Sequence, residues 1–404
     1  MVNAFFLYHP QALILTAAAP IRILHLASSY PDPIGPDTCA SSLLLEEARD
    51  FNHRVLSFKR AGWRGGIQSF GFSDAAGQDH TATAYGAPGK GLFFLRNLNR
   101  LADYFYTDQS LTSDHHDIVH GHKLTMDGYI ASVIAQRSGR PFALTLQANT
   151  DSKIIRARPD LRPVFRQIWM RATAVFSFAP VASEAISNLL GARTGPTVLM
   201  PPPTRADAIT APTVLSPDHP PLITTVFNLD DFQNKNIDTL IRAVAQAGQT
   251  VPGLKLRIIG GGAPRSILAV SDMAQRLAPG QVELMGPKSQ EEMPNLLNST
   301  TAFALLSKRE SFGMVFAEAL LSGAPVLYPK GRAIDGYFQS DRFAQPADPN
   351  NLEDITRGLL TLCKAERSIK AELAQAQSHR ALDFLRRSEI ARVYQDTIKQ
   401  AVCR

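Results

Sequence analysis

Residues 201–221 hold seven prolines in 21 positions, and no regular element can cross such a stretch. Proline has no amide hydrogen for a strand ladder and blocks a helix interior. On both sides of this break, short apolar runs alternate with longer helical ones. Before it, Ile21-Arg22-Ile23-Leu24-His25-Leu26-Ala27 reads as a buried strand, and strand signals recur at 55–58, 118–120, 142–146, 175–178 and 197–200. Helical stretches fall at about 39–51, 128–138 and 163–172. After it the pattern restarts, with strands at 222–227, 254–259, 282–285, 301–306 and 325–328 and helices at 237–247 and 352–362, then helical from 371 onward. Alternation of this kind predicts an α/β chain of two doubly wound domains, each with a parallel sheet covered on both faces. Such sheets bind ligands beyond the carboxyl ends of their strands, so two of them facing each other predict a binding cleft between domains. The expected organisation is an N-terminal extension (1–20), a first domain (21–205), a second domain (206–380) and a C-terminal helix (381–404).

With 404 residues, 45% hydrophobic and 19% charged, the chain has the composition of a globular protein large enough for two domains. Cys39, Cys363 and Cys403 give neither a disulfide framework nor a zinc spacing, which points to a reducing, cytoplasmic setting. No apolar run reaches the roughly 20 residues that span a bilayer. Residues 12–19 are mildly apolar but lack a basic segment before them, so an unstructured extension is expected there, not a secretory signal. The net charge of +6 suits acidic small molecules. It comes without a Lys/Arg block, and no nucleic-acid module is expected.

From Ser311 to Pro329 there is one charged side chain, Glu318, in the run Met314-Val315-Phe316-Ala317-Glu318-Ala319-Leu320-Leu321. A carboxylate in an apolar helix is costly to bury unless something binds it. Glu310 precedes it, and Ser311-Phe312-Gly313 forms a small-residue turn opening that helix. Free amides at a helix N-terminus attract anions. Two acids flanking a phosphate seat fit a phosphorylated ligand with vicinal hydroxyls, as in a nucleotide sugar. The plainer alternative is that Glu318 pairs with an internal cation.

The segment from Ser307 to Val326, with Glu310 and Glu318, resembles the E-x7-E signature of the family 4 (group 1) glycosyltransferases. Ile23–Pro31 with Gly35, Asp117-Ile118-Val119-His120-Gly121-His122, Met200-Pro201-Pro202-Pro203 and Val282–Gly286 with the helix after it resemble further segments of that family, in order. The resemblance covers most of the chain. It implies a GT-B fold of two Rossmann-like domains, a nucleoside-diphosphate-sugar donor, a hydroxyl acceptor (glycan, lipid or small molecule) and transfer with retention. It also implies site residues. Glu318 would hold the ribose diol. Lys235 and the turn Phe312, Gly313, Met314, Val315 would hold the diphosphate. Gly35 would let the first loop approach that phosphate. Glu310 would contact the donor sugar, and Gln147, His120 and Asp151 would border the acceptor side.

Two departures stand out. Where the family carries a phosphate-binding arginine, this chain has Asn228, and Arg309 or Lys308 would have to supply the charge. Where the family carries a histidine, this chain has Gln147, which can position a hydroxyl without moving a proton; the leaving phosphate is commonly held to take that proton. These departures motivate two alternatives, a non-catalytic nucleotide-sugar-binding protein and a sugar phosphorylase.

Other features have simpler readings. Asp114, His115, His116, Asp117, His120 and His122 form a dense group, but ligands drawn from one strand make poor metal geometry. With no Asp-x-Asp motif either, no metal or other cofactor is expected. Gly260-Gly261-Gly262 ends a strand with the wrong spacing for a dinucleotide fingerprint. Residues 90–101 mix apolar and basic side chains, which suits either a core-facing helix or a peripheral contact with the inner membrane face. Cys39 is read as a packing residue.

Overall fold

The computed structural model describes residues 19–35, 40–63, 66–89, 91–109, 111, 115–147, 149–214, 216 and 219–403. The readings of Cys39, Lys90, Asp114 and most of the N-terminal extension lie outside the described residues.

The first domain runs β1 (Arg22–Leu26), α1 (Ala40–Glu47), β2 (Asn52–Arg60), β3 (Ile67–Ser73), β4 (Asp79–Tyr85), α2 (Phe94–Asp108), β5 (Ile118–Gly121), α3 (Asp127–Ser138), β6 (Phe142–Leu146), α4 (Asn149–Ala157), α5 (Arg162–Arg171), β7 (Ala174–Ser177), α6 (Pro180–Leu190) and β8 (Thr197–Leu199). Its eight strands are ordered β3-β4-β2-β1-β5-β6-β7-β8, all parallel except β3. The second domain runs β9 (Leu222–Val226), α7 (Ile237–Gly248), β10 (Lys255–Ile259), α8 (Pro264–Leu277), β11 (Val282–Leu284), α9 (Met293–Asn298), β12 (Ala302–Ala304), α10 (Met314–Leu321), β13 (Val326–Pro329), β14 (Ala344–Ala347), α11 (Leu352–Lys364) and α12 (Glu366–Ser378). Its six strands form a wholly parallel sheet, ordered β11-β10-β9-β12-β13-β14. In both sheets the order reverses beside the first strand of the domain, and a crevice opens at such a point.

The central strands are apolar and buried on both faces, as parallel sheets require. The hairpin β3–β4 is absent from the sequence-based expectation. Its first strand alternates half-buried and exposed residues at the sheet edge, so it lacks the apolar run that reveals an inner strand. Ser289 and Glu292 form the reciprocal bonds of a capping box: Ser289 N donates to Glu292 Oε2 at 2.8 Å and Glu292 N to Ser289 Oγ at 3.3 Å. The helix itself begins four residues after Ser289, at Met293. The C-terminal α13 (Arg387–Val402) returns to the first domain, where Ile390, Tyr394, Ile398 and Ala401 share a core with Ile23, Phe51, Ile118 and Phe176.

The domains also touch near the cleft. Tyr337 donates its hydroxyl to the Phe178 carbonyl at 2.9 Å and stacks on Phe384. Phe178 and Ala182 pack into the second domain's core. Lys370, fully buried on α12, ties the linker down by donating to the Thr213 and Thr300 carbonyls and to Glu366.

Candidate active site

Strand β12 ends in a loop that carries Ser307–Gly313 to the start of α10. Gly313 has φ +74°, a region open to glycine at little cost. A Cβ there would meet the Phe316 ring at 2.6 Å and Glu310 Cγ at 3.2 Å. Glycine is therefore required for the turn that starts the helix beside Glu310. No side chain caps α10, so its first-turn amides can serve a ligand.

Glu318 lies one turn into this helix, half-buried. Among the described residues no ion pair or side-chain hydrogen bond to its carboxylate is found. Burial raises its pKa, and the positive charge of Arg205 only partly opposes this. The sequence alternative, an internal cation paired with this acid, is not what the structure shows. Glu310, by contrast, has protein partners: Lys235 Nζ lies 2.8 Å from its Oε2, and Ser307 Oγ donates to the same oxygen at 3.1 Å. Lys235 precedes α7, and both members of the pair are mostly shielded from solvent. Asn234 braces the same corner, accepting from Arg309 Nε at 3.2 Å through Oδ1 and from the Lys308 amide at 2.7 Å through its carbonyl.

Other predicted residues fall elsewhere. Phe312 is buried against Tyr337, so its backbone and not its ring can reach a ligand. Met314 and Val315 are half-buried at the helix start. Gly35 lies against the Lys59 side chain, which pairs with Asp32 at 2.6 Å. Gln147 is half-buried in the loop between β6 and α4. Asn228 spends its side-chain oxygen on the Asp230 amide at 2.9 Å, capping a short 3-10 turn. Gly260 has φ +152°, and a Cβ there would collide with the Phe227 carbonyl at 1.8 Å. Its close approach is to the neighbouring strand's backbone and not to a ligand.

Two placements correct the sequence reading. His120 is wholly buried between Tyr394 OH, 3.0 Å from Nδ1, and Thr145 Oγ1, 2.9 Å from Nε2. It therefore joins the sheet to α13 and does not border an acceptor. Asp151 is also wholly buried, accepting from the Leu124 and Thr125 amides at 3.1 and 2.9 Å and from Thr125 Oγ1 at 2.8 Å. It ties the β5–α3 loop to α4, and no surface of it is left for substrate.

The histidines form a buried chain. His53 Nε2 meets the Ala48 carbonyl at 2.9 Å, His53 Nδ1 meets His25 Nε2 at 2.9 Å, and His25 Nδ1 meets His122 Nε2 at 3.0 Å. Nitrogens of His25, His120 and His122 all come within 4.8 Å of one another. Both nitrogens of His25 and of His120 are already engaged, so a metal would have to displace those bonds. Burial lowers the pKa of all four rings, to about 3 for His122.

Sequence reasoning missed a polar group at the carboxyl ends of β1 and β5. Lys123 Nζ donates to Ser28 Oγ at 2.9 Å and Ser29 Oγ at 2.5 Å. Burial pushes Asp127, at the start of α3, up to about 6. It also missed the cations of a cleft of about 950 Å³ lying between α4 and the second domain's loops. No motif marks these, because they are separated widely along the chain.

Two facing parallel-sheet domains with an acid-flanked helix start define a GT-B protein. The same fold appears in sucrose-phosphate synthase from Thermosynechococcus elongatus, with a TM-score of 0.70 and 16% identity over 94% of this chain and 98% of that one. It appears again in Anabaena HepE, solved in complex with UDP, with a TM-score of 0.66 and 14% identity over 94% of this chain and all of that one. Residues 213–381 match the family model described as glycosyl transferases group 1. The second domain thus resembles the group 1 glycosyltransferases over the residues matched, and the whole chain has the GT-B fold of these solved structures. Among curated relatives, the D-inositol 3-phosphate glycosyltransferase of Rhodococcus erythropolis is 29% identical over 35% of this chain and 34% of its own length. That of Nocardiopsis dassonvillei is 25% identical over 53% of this chain and 54% of its own length. The chain thus spans about half, or less, of the curated relatives it matches.

Proposed function

We propose that this protein transfers a sugar from a nucleoside-diphosphate sugar to a hydroxyl acceptor, with retained anomeric configuration and without an essential metal. The observation that carries this is Glu318, a half-buried carboxylate without a partner among the described residues, one turn beyond an uncapped helix start. A ribose diol supplies the two hydrogen bonds it lacks. The diphosphate would then lie on the amides of Gly313–Val315 and beside Lys235. An ammonium has three donors, so Lys235 can keep Glu310 while binding a phosphate oxygen. Held by Lys235 and Ser307, Glu310 presents its free oxygen to the donor sugar and stabilises positive charge developing at the anomeric carbon. Neutralisation of the leaving diphosphate by Lys235, with Arg309 beside it, does the work that a metal does in other transferases.

Saturation with uridine, guanosine and adenosine diphosphate sugars, followed by release of nucleoside diphosphate in the presence and absence of EDTA, tests this. Transfer unchanged by EDTA, with an axial product from an axial donor by NMR, is expected. Binding without release under any acceptor would make the protein a binding module, and phosphate-dependent formation of a sugar phosphate would make it a phosphorylase.

A further inference from the structure

The cleft between α4 and the second domain is lined by Lys153 and Arg156 on one side and by Lys308, Arg309 and Arg332 on the other. Its remaining lining residues are uncharged. Lys153 and Arg156 stand three residues apart on α4, exposed on the same face. Among the described residues none of the five cations has a carboxylate partner; Arg309 donates to the Asn234 side chain and Arg332 to the Ser307 carbonyl. The nearby carboxylate, Glu310, is already held by Lys235 and Ser307. Five like charges converging from two domains repel one another unless an anion sits among them. Some exposed cations elsewhere do pair with acids, as Arg158 does with Asp160 and Arg392 with Glu389 and Asp396; what sets this cleft apart is that five cations from two domains line one cavity.

We infer that this cleft seats a phosphate group carried by the acceptor, bound by Lys153 and Arg156 from the first domain and by Lys308 and Arg332 from the second. The inference rests on the transferase reading and names the substrate class of its acceptor side. A neutral acceptor hydroxyl needs no such cluster, and a carboxylate brings one charge. A phosphate ester brings nearly two, with oxygens that match the guanidinium fork. The donor diphosphate is a poorer match for α4, because its seat lies at α10 and Lys235 in the second domain. The anion closes against both domains at once, so the acceptor itself draws the lobes together around the reacting bond. A soluble sugar or polyol phosphate and a lipid headgroup share this recognition chemistry, and the two sources are separated by the test below.

The test uses the full chain and the variants Lys153→Ala, Arg156→Ala and their combination. Each side chain is exposed and without an ion-pair partner among the described residues, so the fold should survive, and circular dichroism checks this. Glucose 6-phosphate, fructose 6-phosphate and inositol 3-phosphate are offered as acceptors against their unphosphorylated parents. Phosphatidylglycerol and phosphatidylinositol vesicles are offered against phosphatidylcholine. Wild type should prefer a phosphorylated acceptor by at least about tenfold in kcat/KM, and the double variant should lose that preference through KM. Its affinity for nucleoside diphosphate should stay unchanged. Preference confined to the sugar or polyol phosphates assigns a soluble acceptor, and preference confined to the anionic vesicles assigns a lipid one. Equal use of neutral and phosphorylated acceptors by wild type would overturn the inference. So would a loss of nucleoside-diphosphate affinity in the α4 variants, which would give these cations to the donor. Failure of wild type to bind any nucleoside diphosphate would instead overturn the transferase reading beneath it.

Discussion

At the scale of single residues the site is a matter of which carboxylates already have partners. Glu310 has two and Glu318 has none among the described residues. Replacing Lys235 by alanine should weaken donor binding by roughly 1.5–3 kcal/mol, the worth of a charged hydrogen bond, as measured by calorimetric titration. It should also leave Glu310 with only Ser307. Glu318→Gln keeps the shape and removes the charge. The folded pKa of Glu318 is raised above its usual 4.5. The ionised acid therefore subtracts stability as pH rises through that interval, and the glutamine variant should melt no lower than wild type at pH 7. A lower melting temperature would mean that Glu318 has an internal partner after all. Its isolation was legible in the sequence, because one acid in an apolar helix stands out with no structure in hand. The burial of His120 and Asp151 was not, because a strand-end histidine and a helix-start aspartate look alike whether they face a cleft or a core.

At the scale of elements, one buried tether holds the linker to the second domain and another holds α13 to the first. Lys370 on α12 has no solvent-exposed side-chain surface and holds two carbonyls besides Glu366. Lys370→Met leaves those acceptors and the carboxylate without their donor, and should cost about 3–5 kcal/mol in urea denaturation. Tyr394 on α13 reaches His120 at 3.0 Å through the core of the other domain. Tyr394→Phe should cost about 1–3 kcal/mol by stranding that imidazole nitrogen. Stability loss without loss of nucleotide affinity is the expected pattern for both. The alternation of strands and helices was readable because the inner strands are apolar on both faces. The edge hairpin β3–β4 and the four-residue β14, with Pro346 inside it, carry too few apolar positions to announce themselves. The basic cleft is invisible in sequence for a different reason: α4 and the loops carrying Lys308 and Arg332 meet only through the docking of two domains.

At the scale of the whole molecule, the first domain is built around neutral imidazoles. The folded pKa values of His25, His53, His120 and His122 lie below the usual 6.5. Their contribution to stability is complete above pH 6.5 and is lost as pH falls towards the folded values, because the unfolded chain then takes up protons. The melting temperature should be flat from pH 8 to 7 and fall steeply below 6, with proton uptake on unfolding. A flat profile down to pH 5 would contradict the buried chain of rings. Across the cleft, the function depends on what α10 offers. The most direct test compares the tightest-binding nucleoside diphosphate with its 2′,3′-dideoxy analogue, on wild type and on Glu318→Gln. If the acid holds the ribose diol, wild type should bind the analogue roughly 10- to 150-fold more weakly, as a charged hydrogen bond of about 1.5–3 kcal/mol requires. The variant should bind both alike. Equal affinity of wild type for the two nucleotides would contradict the role given to Glu318.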